Sequence, residues 1–359
     1  MNAHPIVPLR RFDRAPLRVY WELTRACDLA CRHCRAEAVH HRDSRELTTA
    51  EGLRVLERLS GFGEPKPRVV LTGGDPLKRP DLWVLIAASW GLGLPVSVAP
   101  SATPLLHPAG IRRLKGAGVE AISLSLDGST PDRHDAFRGV TGTFERTLVA
   151  ARAARNAGLP FQINTLVAEE TLDDLPAIYL LASELGAARW SPFFLVSVGR
   201  GTVLQPITSA EAEDVMRWLV ELAGRGGGPV VTTTEAPHFR RVMLQRHHPA
   251  ARGHAAGVRD GNGIMFISHT GDVHPSGFLP LSAGNVRTDD VVSIYRDSPL
   301  FAGLRRPDRF TGRCGRCEFH SYCGGSRARA YAASGDPFGE DPLCAYEPRR
   351  TAPCEQEAL

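Results

Sequence analysis

The sequence predicts an α/β fold of parallel βα units with a smaller segment appended at its C-terminus, and three observations carry that expectation. Short runs rich in β-branched and aromatic residues alternate with longer stretches whose apolar residues recur at a period near 3.6. Polar and glycine-rich motifs fall where those runs end, which is where parallel α/β folds place their sites. The alternation stops at Gly224-Arg225-Gly226-Gly227-Gly228-Pro229, beyond which glycine, proline and histidine are more frequent. Periodicity alone allows either a barrel or a doubly wound sheet.

Taken in order, the strand candidates are residues 18–22, 68–72, 95–99, 121–127, 161–167 and 189–196. Between them lie helical patterns such as Leu53, Val55, Leu56 and Leu59, or Leu148, Ala151, Ala154 and Ala157. The uncharged span 82–106 is broken by Gly91, Gly93, Pro95, Pro100 and Pro104, so it predicts helix, turn and strand rather than a membrane span. Later, residues 266–268 and 273–278 flank His269-Thr270-Gly271-Asp272 as a hairpin. The chain of 359 residues, 43% of them hydrophobic, suffices for a large domain over 1–225 and a small one over 226–359.

A net charge of +4 is small for this length, and lysine occurs only at Lys66, Lys78 and Lys115, with no basic block. Neither nucleic acid nor an anionic membrane surface is indicated as a partner. The N-terminus, Met-Asn-Ala-His-Pro-Ile-Val-Pro, lacks the apolar core of a signal peptide, which predicts a cytoplasmic protein. In a reducing cytosol, eight cysteines grouped in two clusters are better explained as metal ligands than as disulfides.

The first cluster is Cys27, Cys31 and Cys34, in Thr-Arg-Ala-Cys-Asp-Leu-Ala-Cys-Arg-His-Cys-Arg directly after the first strand. Three thiolates on one short loop can wrap a compact centre without closing it. A structural zinc site wants four ligands, whereas a four-iron cluster on three thiolates keeps one iron open. A zinc site completed by His33, His40 or His41, or unconnected core cysteines, are the plainer readings. The Cys-x3-Cys-x2-Cys spacing resembles the signature of the radical SAM enzymes. That resemblance implies a partial (β/α)6 TIM-like barrel. It also implies a [4Fe-4S] cluster whose open iron binds S-adenosylmethionine, reductive release of a 5′-deoxyadenosyl radical, and hydrogen abstraction from substrate. His33 stands where the family commonly has an aromatic residue.

Further motifs fit this resemblance. Thr72-Gly73-Gly74-Asp75-Pro76 is similar to the family's Gly-Gly-Glu-Pro loop, which receives the methionyl amino group of the cofactor, with Asp75 replacing the usual Glu. Without the family it is also a good generic turn. Ser125 and Asp127 resemble the family's ribose and carboxylate contact, and otherwise form an alternating strand closed by an Asp-Gly turn. Arg138 occupies the place of an Arg that pairs with the cofactor carboxylate, a task for a bidentate guanidinium. Gln162 and Asn164 share one face of the fifth strand, where Asn164 is the better candidate to hold the adenosine. Gly199-Arg200-Gly201 follows the sixth strand and could bring an Arg to the barrel mouth, although a surface turn is the plainer reading.

The second cluster is Cys314, Cys317, Cys323 and Cys344. Four thiols can close a site, and on spacing alone zinc is a rival. With Cys-Gly-Gly-Ser-Arg-Ala-Arg-Ala-Tyr-Ala and Gly-Asp-Pro between them, they are similar to the auxiliary-cluster region of SPASM and twitch radical SAM proteins. This implies a second [4Fe-4S] cluster with four protein ligands. No cysteine lies between Cys34 and Cys314, so the further auxiliary cluster of the full SPASM pattern is not expected; Ser276 and Ser326 sit near where its ligands are often found. Cys354 is left over as a free thiol.

The resemblance implies an enzyme, an oxidoreductase or lyase served by a flavodoxin- or ferredoxin-type reductant. Similar proteins act on tetrapyrroles, whose propionates are oxidised or removed, on ribosomal peptides, as in pyrroloquinoline quinone and mycofactocin pathways, or on sugars and nucleosides. The stretch around Cys323 looks most like the tetrapyrrole group. About seventeen residues precede the first strand and fewer than twenty follow Cys344, so a peptide substrate would require a separate leader-binding protein. For an acidic substrate, Arg189, Arg200, Arg240 and Arg241 are candidates. His238, His269 and His274 have no assigned role, and no general acid or base stands out. A non-catalytic two-cluster electron carrier or scaffold explains both cysteine sets, but neither the three-ligand count nor the polar residues at strand ends.

Overall fold

A computed structural model describes residues 12–249 and 257–349. Six strands, β1 (Arg18–Thr24), β2 (Arg68–Gly73), β3 (Val96–Val98), β4 (Ala121–Ser125), β5 (Phe161–Val167) and β6 (Arg189–Phe194), are parallel and stand in sequence order, with helices between them. A doubly wound sheet reverses its strand order at a switch point. This one never reverses across β1–β6, as the expected partial (β/α)6 barrel requires.

Three more strands, β7 (Val230–Val231), β8 (Ile264–Ile267) and β9 (Val273–His274), extend the same sheet, giving the order β7-β6-β5-β4-β3-β2-β1-β8-β9. β8 runs parallel to β1 with Ile267 opposite Trp21, and β9 folds back antiparallel. The expected hairpin therefore exists, but its first strand is the barrel's own edge, and residues on both sides of position 225 share one sheet. Its second strand is shorter than the sequence indicates because Pro275 brings no backbone N–H to the ladder.

Alternation within strands separates two surfaces. Val19, Trp21 and Leu23 of β1, Val69 and Leu71 of β2, and Trp190 of β6 belong to the main core beneath the helices. Arg18, Tyr20 and Glu22, Arg68 and Thr72, and Arg189 and Ser191 consequently face the lumen. The helix Thr49–Ser60 begins with a capping box between Thr48 and Glu51 and buries Val55, Leu56 and Leu59, each contributing roughly 1.5–3 kcal/mol. Gly52 lets it sit against Trp21, whose Cζ2 and Cη2 would meet any added Cβ at 3.7 and 3.2 Å. The uncharged span resolves into the helix Leu82–Gly91 and β3. Among the described residues no helix is long and apolar enough to cross a membrane.

Candidate active site at the carboxyl ends of the strands

Beyond Thr24 the chain turns into the 27–34 loop, held by Cys27 N–H donating to Val39 O (2.8 Å) and Cys34 N–H to Cys31 O (3.2 Å). Cys27 and Cys31 are buried and Cys34 is half-buried. Donors face each sulfur: Leu29 N–H lies 3.4 Å from Cys27 Sγ, Ala38 N–H 3.4 Å from Cys34 Sγ, and Arg138 Nη1 3.6 Å from Cys31 Sγ. Burial raises the Cys27 thiol above its ordinary pKa, so donors of this kind and an incoming metal centre are what would favour its thiolate. All seven described cysteines are free thiols, and Cys354 lies outside the described residues. Among the described residues, no three His, Cys, Asp or Glu side chains gather tightly enough to hold a single metal ion.

Two loops brace this one. Gly74 N–H donates to Thr24 O (2.8 Å) and Asp75 N–H to Ala26 O (2.7 Å). The approach is so close that a Cβ on Gly74 would lie 2.5 Å from Ala26 O, and Gly73 has φ +140° with Thr24 O 2.2 Å from the same hypothetical atom. Asp75 turns its carboxylate away from the loop, accepting from Thr103 Oγ1 (2.7 Å) and Leu77 N–H (3.1 Å), and is fully buried, which raises its pKa. From the other side, Arg200 places Nε 3.0 Å from Cys31 O and Nη1 3.2 Å from Ala38 O. The expected surface turn at 199–201 is thus a clamp on the cysteine loop, with Gly201 buried.

Asp127 and Arg138, at the two ends of the turn and helix that follow β4, form a buried ion pair. Asp127 Oδ1 also accepts from Leu166 N–H (2.7 Å). Burial opposes the Asp127 charge, but Arg138 and the nearby histidines outweigh it and hold the carboxyl below its ordinary pKa. Arg138 therefore faces Cys31 with one guanidinium nitrogen and Asp127 with another. His33 Nε2 lies 3.8 Å from Asp127, and burial lowers its pKa to about 4, so the ring is neutral at pH 7. Ser125 is the register partner of Asn164, and Gln162 Nε2 donates to Asn164 Oδ1 (2.6 Å). The two fifth-strand amides thus share one face of β5.

The structure adds a group that sequence reasoning missed. Glu22, buried on the lumen face of β1, lies 2.8 Å from His269 Nδ1 and accepts from Arg35 Nη2 at 2.7 Å. Arg35 spreads over the Phe266 ring (4.7 Å) and Phe278 (5.8 Å), and Phe278 stacks on Phe193 (4.8 Å). A charged residue on the inner face of a strand's last turn is a visible signal for Glu22. His269 had a hairpin but no partner until β8 joined β1.

The four remaining cysteines cluster near the C-terminus. Arg327 Nη2 and Asp341 N–H each approach Cys314 Sγ at 3.5 Å, and Gly325 N–H approaches Cys323 Sγ at 3.4 Å. A Cβ on Gly325 would fill this cradle, 3.1 Å from Cys314 Sγ. Burial raises the thiol pKa of Cys317, pushes Cys323 well up, and takes Cys344 to about 11. Arg240, Arg241 and Arg259 lie within the field of Cys323. Neutral thiols need no such company; four thiolates around a cluster do. Arg241 also pairs with Glu213, and Ser326 donates to Glu235 Oε2 (2.6 Å). Ser276 and His238 are buried, with His238 Nδ1 4.0 Å from Asp341, and His274 packs against Phe266.

Comparison with known proteins agrees with this geometry. The model of the Radical SAM superfamily matches residues 21–182. The chain is 40% identical over 370 residues to the AdoMet-dependent heme synthase of Nitratidesulfovibrio vulgaris, an alignment covering 99% of this chain and 100% of that protein. It is 30% identical to the pre-heme d1 synthase of Dinoroseobacter shibae, over 95% of this chain and 89% of that one. The structure of Streptococcus suis SuiB bound to S-adenosylmethionine superposes with a TM-score of 0.73 at 16% identity, covering 93% of this chain and 78% of SuiB, a likeness of fold. The chain belongs to the radical SAM superfamily. It is an enzyme of that family, working with a [4Fe-4S] cluster and S-adenosylmethionine.

Proposed function

We propose that the protein oxidatively modifies a tetrapyrrole, removing the carboxyl group of propionate side chains. The observation that carries this reading is the lumen wall. Phe193 and Phe278, half-buried and packed on each other, offer apolar ring surface beside the Arg35 guanidinium, which covers the buried Phe266 ring, a surface matched to an aromatic macrocycle with acidic substituents. The heme synthase relative points the same way.

Cys27, Cys31 and Cys34 hold the first cluster, while Gly73, Gly74 and Asp75 with Ser125, Asp127, Arg138 and Asn164 surround the S-adenosylmethionine site. Bound there, cluster and cofactor would supply the chemistry of hydrogen-atom abstraction. The chain's own contribution is placement. Arg200 and the glycine loop fix the cysteine loop, Arg138 presents its guanidinium to an incoming carboxylate, and the aromatic wall excludes water from the reacting edge. Cys314, Cys317, Cys323 and Cys344 would carry the auxiliary [4Fe-4S] cluster, within the 226–359 segment whose strands β7, β8 and β9 extend the barrel sheet. A flavodoxin- or ferredoxin-type protein provides electrons in the cytoplasm.

The test is anaerobic reconstitution, metal counting and a dithionite-reduced assay with iron coproporphyrin III. About eight irons per chain, falling to about four when Cys27, Cys31 and Cys34 are all changed to Ala, are expected. Loss of CO2 from the porphyrin, together with 5′-deoxyadenosine, should vanish in that variant. Stoichiometric zinc, or cofactor cleavage that leaves the porphyrin intact, would overturn the reading.

A further inference from the structure

The floor of the lumen carries a charge that the site above does not use. Arg18, Arg68 and Arg189 are the first residues of β1, β2 and β6. Arg18 and Arg68 are register partners on adjacent strands. Next to Arg189, Trp190 packs outward against Tyr179 and Trp218, which turns Arg189 inward. All three are half-buried.

Their electrostatic situation is unbalanced. Burial, then the charge of Arg18 and, after Tyr20, that of Arg68, pulls Arg189 below the ordinary guanidinium value, with the Tyr20 hydroxyl opposing. Arg240 feels Arg18 as well. Against this, Arg68 pairs with Glu120, while neither Arg18 nor Arg189 has an ion pair among the described residues. Like charges in a part-buried space are stabilised by an anion from outside the chain.

Distance narrows which anion. At roughly 3.3 Å of rise per residue, Arg18 lies about 13 Å below Glu22 and about 20 Å below Thr24, where the cysteine loop begins. A group held on the floor is therefore remote from the reacting edge, and only a molecule with acidic groups on opposite edges reaches both. Tyr20 and its register partner Phe266 stand at the level between Arg18 and Glu22.

We propose that Arg18, Arg68 and Arg189 form a carboxylate anchor at the floor of the barrel lumen, holding the acid side chains on the substrate edge remote from the 27–34 loop. This rests on the tetrapyrrole reading and adds to it a cause of regioselectivity. Carboxylates seated on the floor are retained, and only those of the opposite edge meet the cofactor.

The experiment uses the reconstituted holoenzyme and the double variant Arg18→Gln/Arg189→Gln, with Arg18→Lys/Arg189→Lys as the charge-keeping control. Expected is a tenfold or greater rise in Kd and KM for iron coproporphyrin III in the Gln variant, partial recovery in the Lys variant, and unchanged substrate-free 5′-deoxyadenosine formation and iron content. The tetramethyl ester should bind wild type and Gln variant alike. Independently, millimolar glutarate should raise the Tm of wild type and not of the Gln variant. Equal glutarate shifts in both, or none in either, would overturn the anchor, as would unchanged porphyrin affinity in a Gln variant with full iron content. Should wild type respond to glutarate and bind no porphyrin, the anchor stands and the tetrapyrrole reading falls. A Gln variant that loses iron is replaced by the single variant Arg189→Gln, judged by the same two readouts.

Discussion

Glu22 Oε1 lies 2.8 Å from His269 Nδ1, joining the last turn of β1 to the tip of the β8–β9 turn, and the same carboxylate holds Arg35 of the cysteine loop. Burial alone would raise the Glu22 pKa. The Arg35 charge and the His269 hydrogen bond outweigh it and bring it from 4.5 down to about 2. A depressed carboxylate stabilises the fold above the unfolded pKa and loses that contribution as pH falls through the folded one. About 3 kcal/mol should therefore disappear between pH 4.5 and pH 2. Glu22→Gln should lower the urea midpoint strongly at pH 7, by less than half as much at pH 3, and little at or below pH 2. A pH-independent gap would show that the carboxylate charge is not the cause.

Arg200 makes its two side-chain hydrogen bonds to backbone carbonyls of the cysteine loop. Hydrogen bonds from a charged group contribute about 1.5–3 kcal/mol each. Arg200→Ala should accelerate chelator-driven release of the three-cysteine iron by roughly tenfold or more, leaving the auxiliary iron unaffected. The two populations are separable by the electron paramagnetic resonance of the reduced protein.

Gly74→Ala drives a Cβ into Ala26 O, which has no room to move because the two backbones are hydrogen-bonded. A loss of at least about 3 kcal/mol is expected, with S-adenosylmethionine binding abolished. Gly91, helical and with nothing within 4 Å of its hypothetical Cβ, is the control: Gly91→Ala should be neutral or stabilising by up to about 1 kcal/mol. Equal effects at both positions would refute the close-approach argument.

Arg327 is fully buried, donates to Gly325 O, Pro337 O and Gly339 O, and reaches Cys314 Sγ. Arg327→Met leaves those carbonyls unpaired. Iron should fall from about eight to about four per chain, while substrate-free cleavage of S-adenosylmethionine persists. Loss of the three-cysteine iron and of cleavage together with the auxiliary iron would place Arg327 in the general fold instead.

Much of the molecule was legible in the chain because its signals are local. The six strands were readable from β-branched runs, and the cysteine sets from spacing that tolerates few alternatives. Asp127 stood out by its place at a strand end and Arg138 by the family resemblance, yet not as partners. For Arg200 the sequence left a surface turn and an Arg at the barrel mouth both open, because a Gly-Arg-Gly turn carries no information about what packs beneath it.

By itself, then, the sequence determined the βα alternation, the two thiol sets and the glycines that let backbones touch, all of which follow from residue type and short-range spacing. Only the tertiary structure decided the rest. Barrel rather than doubly wound sheet, β8 beside β1, Glu22 on His269, Arg200 on Cys31 and the three floor arginines facing one lumen all depend on strand order and register. These bring together residues tens to hundreds of positions apart, and no local pattern encodes that.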